Sequence, residues 1–287
     1  MNLSFVLGGR DDNYGEFFIE RLHRALEENI KAIHLLGLQE QVEIIVVDYN
    51  PLEREKWLCR NPMLVTLLSD KIVKNIIVDN SVIVEEKLNK TKYYEYFAKN
   101  VGIIESKGKF LVITNSDIVY PRETIFAMNE ILNKNSTERI FYRCRYRRSI
   151  NLNDPLERFF LTTGTPNGDL HVPSYADAVI CGHYSGDATM FTRSSLLETA
   201  TGYDETNPGH RGDKSQSNMD GEILWNLHNQ GFKMQFIEHP YYHIEHGRPS
   251  PRDGVYNSET YKNPINKWGC QQYQRKTLGQ NIIGIYK

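Results

Sequence analysis

The chain has 287 residues, 40% hydrophobic and 24% charged, a balance that suits a folded globular protein and excludes disordered and fibrous classes. Its 34 Lys and Arg against 36 Asp and Glu leave a formal charge of −2, which argues against a general polyanion binder, nucleic acid included. The apolar runs, such as residues 42–47, fall far short of the roughly 20 residues of a membrane helix. The opening MNLSFVLGGRDD lacks the pattern of a secretory leader, so a cytoplasmic protein without a transmembrane segment is expected. Cys59, Cys144, Cys181 and Cys270 are too scattered for a zinc site or a disulfide scaffold and read as reduced thiols.

Residues 3–8 read as a first strand. From Tyr14 onward Phe17, Phe18, Leu22, Ala25, Leu26, Ile30 and Ile33 recur at helical spacing with charged residues between, which predicts an amphipathic helix on the sheet. Residues 43–47 form a buried strand that ends on Asp48, and Tyr49-Asn50-Pro51 supplies turn chemistry. A third strand spans residues 71–78, a helix runs over 92–105, and Lys107-Gly108-Lys109 ends it. The next strand, residues 110–114, leads into Asn115-Ser116-Asp117, and Pro121 opens a helix to Leu132.

This alternation predicts an α/β fold with a mostly parallel central sheet flanked by helices. After residue 140 the pattern weakens into loops around 163–172 and 207–218, with helical stretches at 194–200 and 221–229 and a strand at 233–237 before a His-rich turn. No repeat or low-complexity linker interrupts the chain, so a single domain over residues 1–287 with a loop-rich C-terminal half is expected. Arg143, Arg145 and Arg147 alternate and would share one face of a strand. A solvated strand edge is the favoured reading of that row, ahead of a diphosphate clamp, an anionic-acceptor site or a nucleic-acid patch.

Ligands of parallel α/β sheets gather outside the carboxyl ends of the strands. Three polar clusters fall there: Gly8-Gly9-Arg10-Asp11, Asp48 and Asn115-Ser116-Asp117. Glycines let a ligand approach the backbone, Arg10 can pair with a phosphate, and Asp48 can accept from a nucleobase N–H or a ribose hydroxyl. A simple turn at the glycines and a capping role for Asp48 are the competing readings. Asp117 can offer an oxygen to a hard divalent cation bridging protein and diphosphate, with Asn115 in support; an Asx turn is the alternative. His243 and His246 stand three apart at a strand end or loop, where one can complete a distant metal site and the other can be a buried structural histidine. Asp220 and Glu222 begin a helix, where either can cap it or project into a cleft as a general base.

The order of these motifs, together with Lys99-Asn100-Val101-Gly102, Gly186-Asp187-Ala188-Thr189, Gly202-Tyr203-Asp204 and Met219-Asp220-Gly221-Glu222, resembles nucleotide-sugar glycosyltransferases of the GT-A fold, family 2-like, over residues 2–246. The resemblance implies a Rossmann-like sheet with residues 1–120 as the nucleotide-sugar-binding half and 121–287 as the acceptor-binding and catalytic half. It places the donor, a nucleotide diphosphate-sugar expected to be UDP-linked, on Gly8, Arg10, Asp11, Asp48, Lys99, Asn100, Asn115 and Ser116. It implies Mn²⁺ or Mg²⁺ on Asp117 with His246 or His243, donor-sugar or acceptor contacts at Gly186, Asp187 and Glu222, and Asp220 as the base of an inverting transfer to a glycan or other hydroxyl acceptor. Asn115 stands where the family carries an aspartate and Met219 where it carries a glutamate. A GT-A-like binding module without turnover and a retaining transferase are therefore the alternatives.

Overall fold

The computed structural model describes residues 1–13, 15–51, 53–78, 93, 95–132, 139–156, 170–171, 187–200, 202–203, 219–247, 273–278 and 281–286. β1 (Leu3–Gly9) and β2 (Val42–Tyr49) are buried along their whole length, as expected of parallel strands covered on both faces. They pair in parallel with Gly9 opposite Asp48, so the polar residues at their carboxyl ends emerge side by side. β3 (Val73–Val78) continues the parallel block beyond β2, and β4 (Phe110–Ile113) does so beyond β1.

Side chains alternate between two cores, one on each face of this block. Leu3, Phe5 and Leu7 of β1 join Ile44 and Val46 of β2 under α1 (Phe18–Leu35), which buries Phe18, Leu22, Leu26, Ile30 and Ile33. Val6, Ile45 and Val47 face the other way, against Tyr96, Phe97, Ala98 and Val101 of α3 (Glu95–Glu105). The closeness of α3 to the sheet depends on Gly102, where an added Cβ would lie 2.3 Å from Val6 Cγ1. α1 ends at Gly37, whose φ of 69° lets Leu38 N–H reach Ile33 O at 3.1 Å and Gly37 N–H reach His34 O at 3.0 Å. A short α2 (Val65–Leu68) precedes β3.

The rest of the chain adds β5 (Ile118–Val119), α4 (Arg122–Leu132), β6 (Ile140–Ile150), β7 (Leu170–His171), β8 (Thr189–Thr192), a π-helical turn (Ser195–Ala200), α5 (Met219–Asn229), β9 (Lys233–Ile244), β10 (Tyr273–Leu278) and β11 (Asn281–Tyr286). Among the described residues all strands form one sheet in the order β10-β11-β3-β2-β1-β4-β8-β6-β9-β5, with β7 on β6. β8 runs antiparallel between β4 and β6, while β6 and β9 run parallel to each other over ten residue pairs. The expected α/β sheet flanked by helices is therefore present, and its parallel block supplies the strand ends where the polar clusters were expected.

Two expectations change. The strand expected over 233–237 continues to Ile244, which carries His243 inside the sheet. The arginine row does not lie on a solvated edge: β6 has β9 on one side and β8 and β7 on the other. Arg143 and Arg147 are buried, and only Arg145 reaches outward to Glu238, next to the register shift between Cys144 and Tyr146. A guanidinium tolerates such burial only with partners, and Arg147 finds them at the site below. Cys59 and Cys144 are free thiols, while Cys181 and Cys270 lie outside the described residues. No helix among the described residues is long and apolar enough to cross a membrane.

Candidate functional site

Asp117 lies in the turn between β4 and β5. The antiparallel pairing of β5 with β9 sets Ile118 opposite His243, and Ile244 N–H donates to Asp117 O at 2.9 Å. The backbone thus brings residues more than 120 positions apart to one point of the sheet. The buried carboxylate of Asp117 meets Arg21 Nη1 at 3.1 Å and His246 Nε2 at 3.2 Å through Oδ2, with His243 Nε2 3.8 Å from Oδ1. Oδ1 has no hydrogen-bond partner. Burial pushes this carboxyl up, but the hydrogen bond from His246 and the positive charge of His243, His246 and Arg21 outweigh it and hold the group below its ordinary value.

The remaining nitrogens of the two imidazoles face oxygen atoms, His246 Nδ1 in a hydrogen bond and His243 Nδ1 at an ion-pair distance without one. His246 Nδ1 lies 2.8 Å from Gly247 O, so it must carry a proton and donate. His243 Nδ1 lies 3.3 Å from Glu245 Oε1, a long contact to a carboxylate held low, at about 2, by His243, Ser149 and Arg147 against its own burial. A neutral His246 with its proton on Nδ1 therefore points a bare Nε2 lone pair at the Asp117 carboxylate, and a neutral His243 does the same in the tautomer that carries its proton on Nδ1. That arrangement is repulsive unless a proton or a metal ion lies between, and the three ligand atoms lie within 4.8 Å of one another. One carboxylate with two imidazoles is a donor set that transition-metal ions, Mn²⁺ among them, take up more readily than Mg²⁺, which prefers oxygen ligands throughout. The residues present thus fit a cation held by Asp117, His243 and His246.

A second network adjoins the first. Asn115 donates through Nδ2 to Asp187 Oδ1 at 2.9 Å and accepts through Oδ1 from Lys99 Nζ at 3.0 Å. The side chain of Asn115 is thus spoken for by a buried ammonium and a buried carboxylate. Lys99 is also paired with Glu95 at 2.7 Å and lies over the rings of Tyr96 and Tyr203. Asp187, just before β8, further accepts from Tyr241 Oη at 3.2 Å and faces Arg147 Nε at 3.3 Å.

The expected nucleotide side of the site is assembled at the ends of β1 and β2. Arg10 grips Asp12 with Nε at 2.9 Å and Nη2 at 2.7 Å, and its guanidinium lies over the ring of Tyr93, 5.8 Å from the centroid. Asp48 is fully buried, with Oδ2 accepting from Leu58 N–H at 2.8 Å and Oδ1 without a hydrogen-bond partner. Burial, with the charge of Asp11, raises its carboxyl to about 8, although the Leu58 N–H and Arg10 pull the other way. Asp11 and Ser116 are partly exposed. At Gly8 an added Cβ would meet Tyr93 Oη at 2.6 Å and Ala98 Cβ at 2.7 Å, so this glycine answers to close packing as well as to any ligand. Asn100 clasps Tyr203 with both amide groups, each at 2.9 Å from the Tyr203 backbone.

Gly186 lies outside the described residues, as do the side chains of Asp220 and Glu222, whose backbone forms the first turn of α5. Two contributors were not singled out from sequence, and a third, Arg147, was named with a different favoured role. Arg21 occupies a polar position of an amphipathic helix, Glu245 sits between two histidines, and Arg147 belongs to a row read as solvated; for Arg147, a charged residue inside a strand with neighbours on both sides was the available signal.

No family model matches the chain, and no curated protein is similar to it in sequence. Solved structures share its fold. S. aureus TarS 1-349, from a glycosyltransferase, superposes with a TM-score of 0.50 at 12% identity, covering 85% of this chain and 60% of that one. A longer TarS chain gives a TM-score of 0.50 at 12% identity, with 85% of this chain and 37% of that chain covered. A TarS 1-349 complex with UDP-GlcNAc gives 0.49 at 12% identity, covering 91% of this chain and 62% of that one. The chain thus spans less than two thirds of the length of these neighbours, and at this identity the likeness shows a shared fold and no more.

Proposed function

We propose that the chain is a nucleotide-sugar-dependent glycosyltransferase that binds its donor across the carboxyl ends of β1, β2 and β4. The observation that carries this reading is the meeting of Asp117 with His243 and His246 at the mouth of the parallel sheet, where a diphosphate would lie. Asp48 Oδ1, buried and unpartnered, suits a nucleobase edge that offers an N–H, as uracil, thymine and guanine do. A UDP-linked donor is the first choice among these. When bound, Mn²⁺ would be held by Asp117, His243 and His246 and would neutralise charge on the departing diphosphate.

Asp220, in the first turn of α5, is the proposed base. It takes the proton of the acceptor hydroxyl, the oxygen attacks the anomeric carbon from the face opposite the phosphate, and the C–O bond to the nucleoside diphosphate breaks, inverting that carbon. The carboxylate of Asp187, held by Asn115 and Tyr241, is the proposed contact for a sugar hydroxyl of donor or acceptor.

The test is a screen of UDP-, GDP- and dTDP-sugars with Mn²⁺ for transfer and for donor hydrolysis, followed by Asp220→Asn. The variant is expected to lose transfer by about 10²-fold or more while donor affinity stays within a factor of three. Full transfer activity in that variant refutes the base. The second reading, a binding module without turnover, is favoured by the commitment of Asn115 to Lys99 and Asp187, and hydrolysis or transfer with any of these donors excludes it.

A further inference from the structure

We propose that Glu245 is a positioning residue of the cation site: its carboxylate, 3.3 Å from His243 Nδ1, favours the imidazole proton on that nitrogen and so leaves the Nε2 lone pair toward Asp117, with Arg147 bracing Glu245 from Asp187. This rests on the cation reading given above and adds to it residues that touch no ligand.

The backbone at this point has little freedom. His243 lies within β9, opposite Ile118 of β5, and Glu245 N–H donates to Ile150 O at 2.8 Å, which ties the end of β9 to the end of β6. What remains free is the imidazole itself, which can flip about χ2 and can carry its neutral proton on either nitrogen. With the proton on Nε2 the ring would offer Asp117 a hydrogen bond and could not ligate a metal from that atom. An ionised carboxylate on the Nδ1 side removes this choice, because it accepts only. Glu245 Oε1 stands 3.3 Å from His243 Nδ1.

His246 is oriented by other means. Its Nδ1 faces the carbonyl of Gly247 at 2.8 Å, and a Cβ at Gly15 would fall 2.4 Å from the same nitrogen, so the β1 loop closes over that ring. A carboxylate behind one imidazole and a carbonyl behind the other are the two partners that metal-ligating histidines use to fix tautomer and ring orientation. Only the carboxylate is a side chain, and only it can be removed by substitution.

Arg147 holds that carboxylate in register. Its Nη2 lies 3.2 Å from Glu245 Oε1, its Nη1 3.3 Å from Ser149 Oγ and its Nε 3.3 Å from Asp187 Oδ2. One buried guanidinium therefore spans the carboxylate that orients His243 and the carboxylate expected to contact sugar. The two networks of the site are joined at this residue, so the cation ligands and Asp187 keep a fixed spacing.

The experiment uses the full chain without donor. Mn²⁺ affinity is measured by electron paramagnetic resonance for the wild type, Glu245→Ala and Glu245→Gln, and the His243 tautomer is read from ¹⁵N chemical shifts in the metal-free protein. The expected result is Nδ1–H on His243 in the wild type, lost in Glu245→Ala, with Mn²⁺ affinity about 10- to 100-fold weaker. Glu245→Gln keeps an acceptor oxygen and is expected to lose less. Thermal midpoints of the three proteins accompany the titrations, so a folding defect in the Ala variant passes the decision to the Gln variant and to the wild-type tautomer. Affinities within threefold of wild type together with an unchanged tautomer overturn the proposal and leave the cation site standing. A wild type that binds no Mn²⁺ overturns the cation reading and the proposal with it.

Discussion

Asp48 makes the stability of the fold depend on pH in a direction opposite to that of most carboxylates. Its carboxyl is raised from 3.8 to about 8, first by burial and then by Asp11, against the opposing Leu58 N–H and Arg10. The unfolded chain ionises this group near its ordinary value, whereas the folded chain keeps it protonated up to about 8. Folding therefore takes up a proton throughout that window. The favourable contribution of the protonated carboxyl is fully present below the unfolded value and is lost as pH climbs to the folded one. One proton corresponds to a slope of about 1.4 kcal/mol per pH unit, so about 4 kcal/mol is lost between pH 5 and 8. Asp48→Asn replaces the neutral acid with an amide of the same shape that still accepts the Leu58 N–H and does not titrate. Urea unfolding of both proteins at pH 5, 6, 7 and 8 isolates the effect, since the histidines and other groups contribute equally to each and cancel in the difference. The variant should gain on the wild type by about 1.4 kcal/mol for each unit of pH. A difference that stays constant from pH 5 to 8 would mean that Asp48 is ionised in the folded state, and the burial argument would fail.

Two further substitutions separate packing from ligand binding at motif residues that the family resemblance places near the nucleotide or beside it. Gly102→Ala drives a methyl to 2.3 Å from Val6 Cγ1, and α3 must lift off β1, so a loss of about 1–3 kcal/mol is expected by chemical denaturation. Asn100→Ala leaves the Tyr203 N–H and carbonyl without the two side-chain bonds at 2.9 Å that clasp them, and should cost about 2–4 kcal/mol; a loss under about 0.5 kcal/mol would show that solvent replaces both.

The parallel half of the fold was legible because its signals are local. β1, β2 and β4 are short apolar runs closed by polar residues, and α1 repeats its apolar face over five turns with glycine at its end. Asp117 and the His243 and His246 pair were legible for the same reason, as residue types at particular places in a local pattern. What sequence left open is long-range. Nothing near Arg21 announces that it will pair with a carboxylate 96 positions away, and Arg147 meets Glu245 across 98 positions. Because its arginines alternate, the strand β6 reads in sequence as a solvated edge, whereas its inward side chains are buried between neighbours and a register shift breaks the alternation at Cys144 and Tyr146. Asn100 and Gly102 carry the opposite lesson. Their spacing pointed toward the nucleotide through resemblance, while in the structure one clasps Tyr203 and the other admits Val6.

The central claim, a nucleotide diphosphate-sugar bound at the sheet mouth with a cation on Asp117, is tested most directly by calorimetric titration of UDP-, GDP- and dTDP-sugars with and without Mn²⁺. Wild-type protein and Asp117→Asn are compared. The account predicts saturable binding of at least one donor to the wild type, strengthened about tenfold or more by Mn²⁺, and loss of that strengthening in the variant. Absence of binding by all three donors in the presence of Mn²⁺, or equal Mn²⁺ dependence in the two proteins, would contradict it.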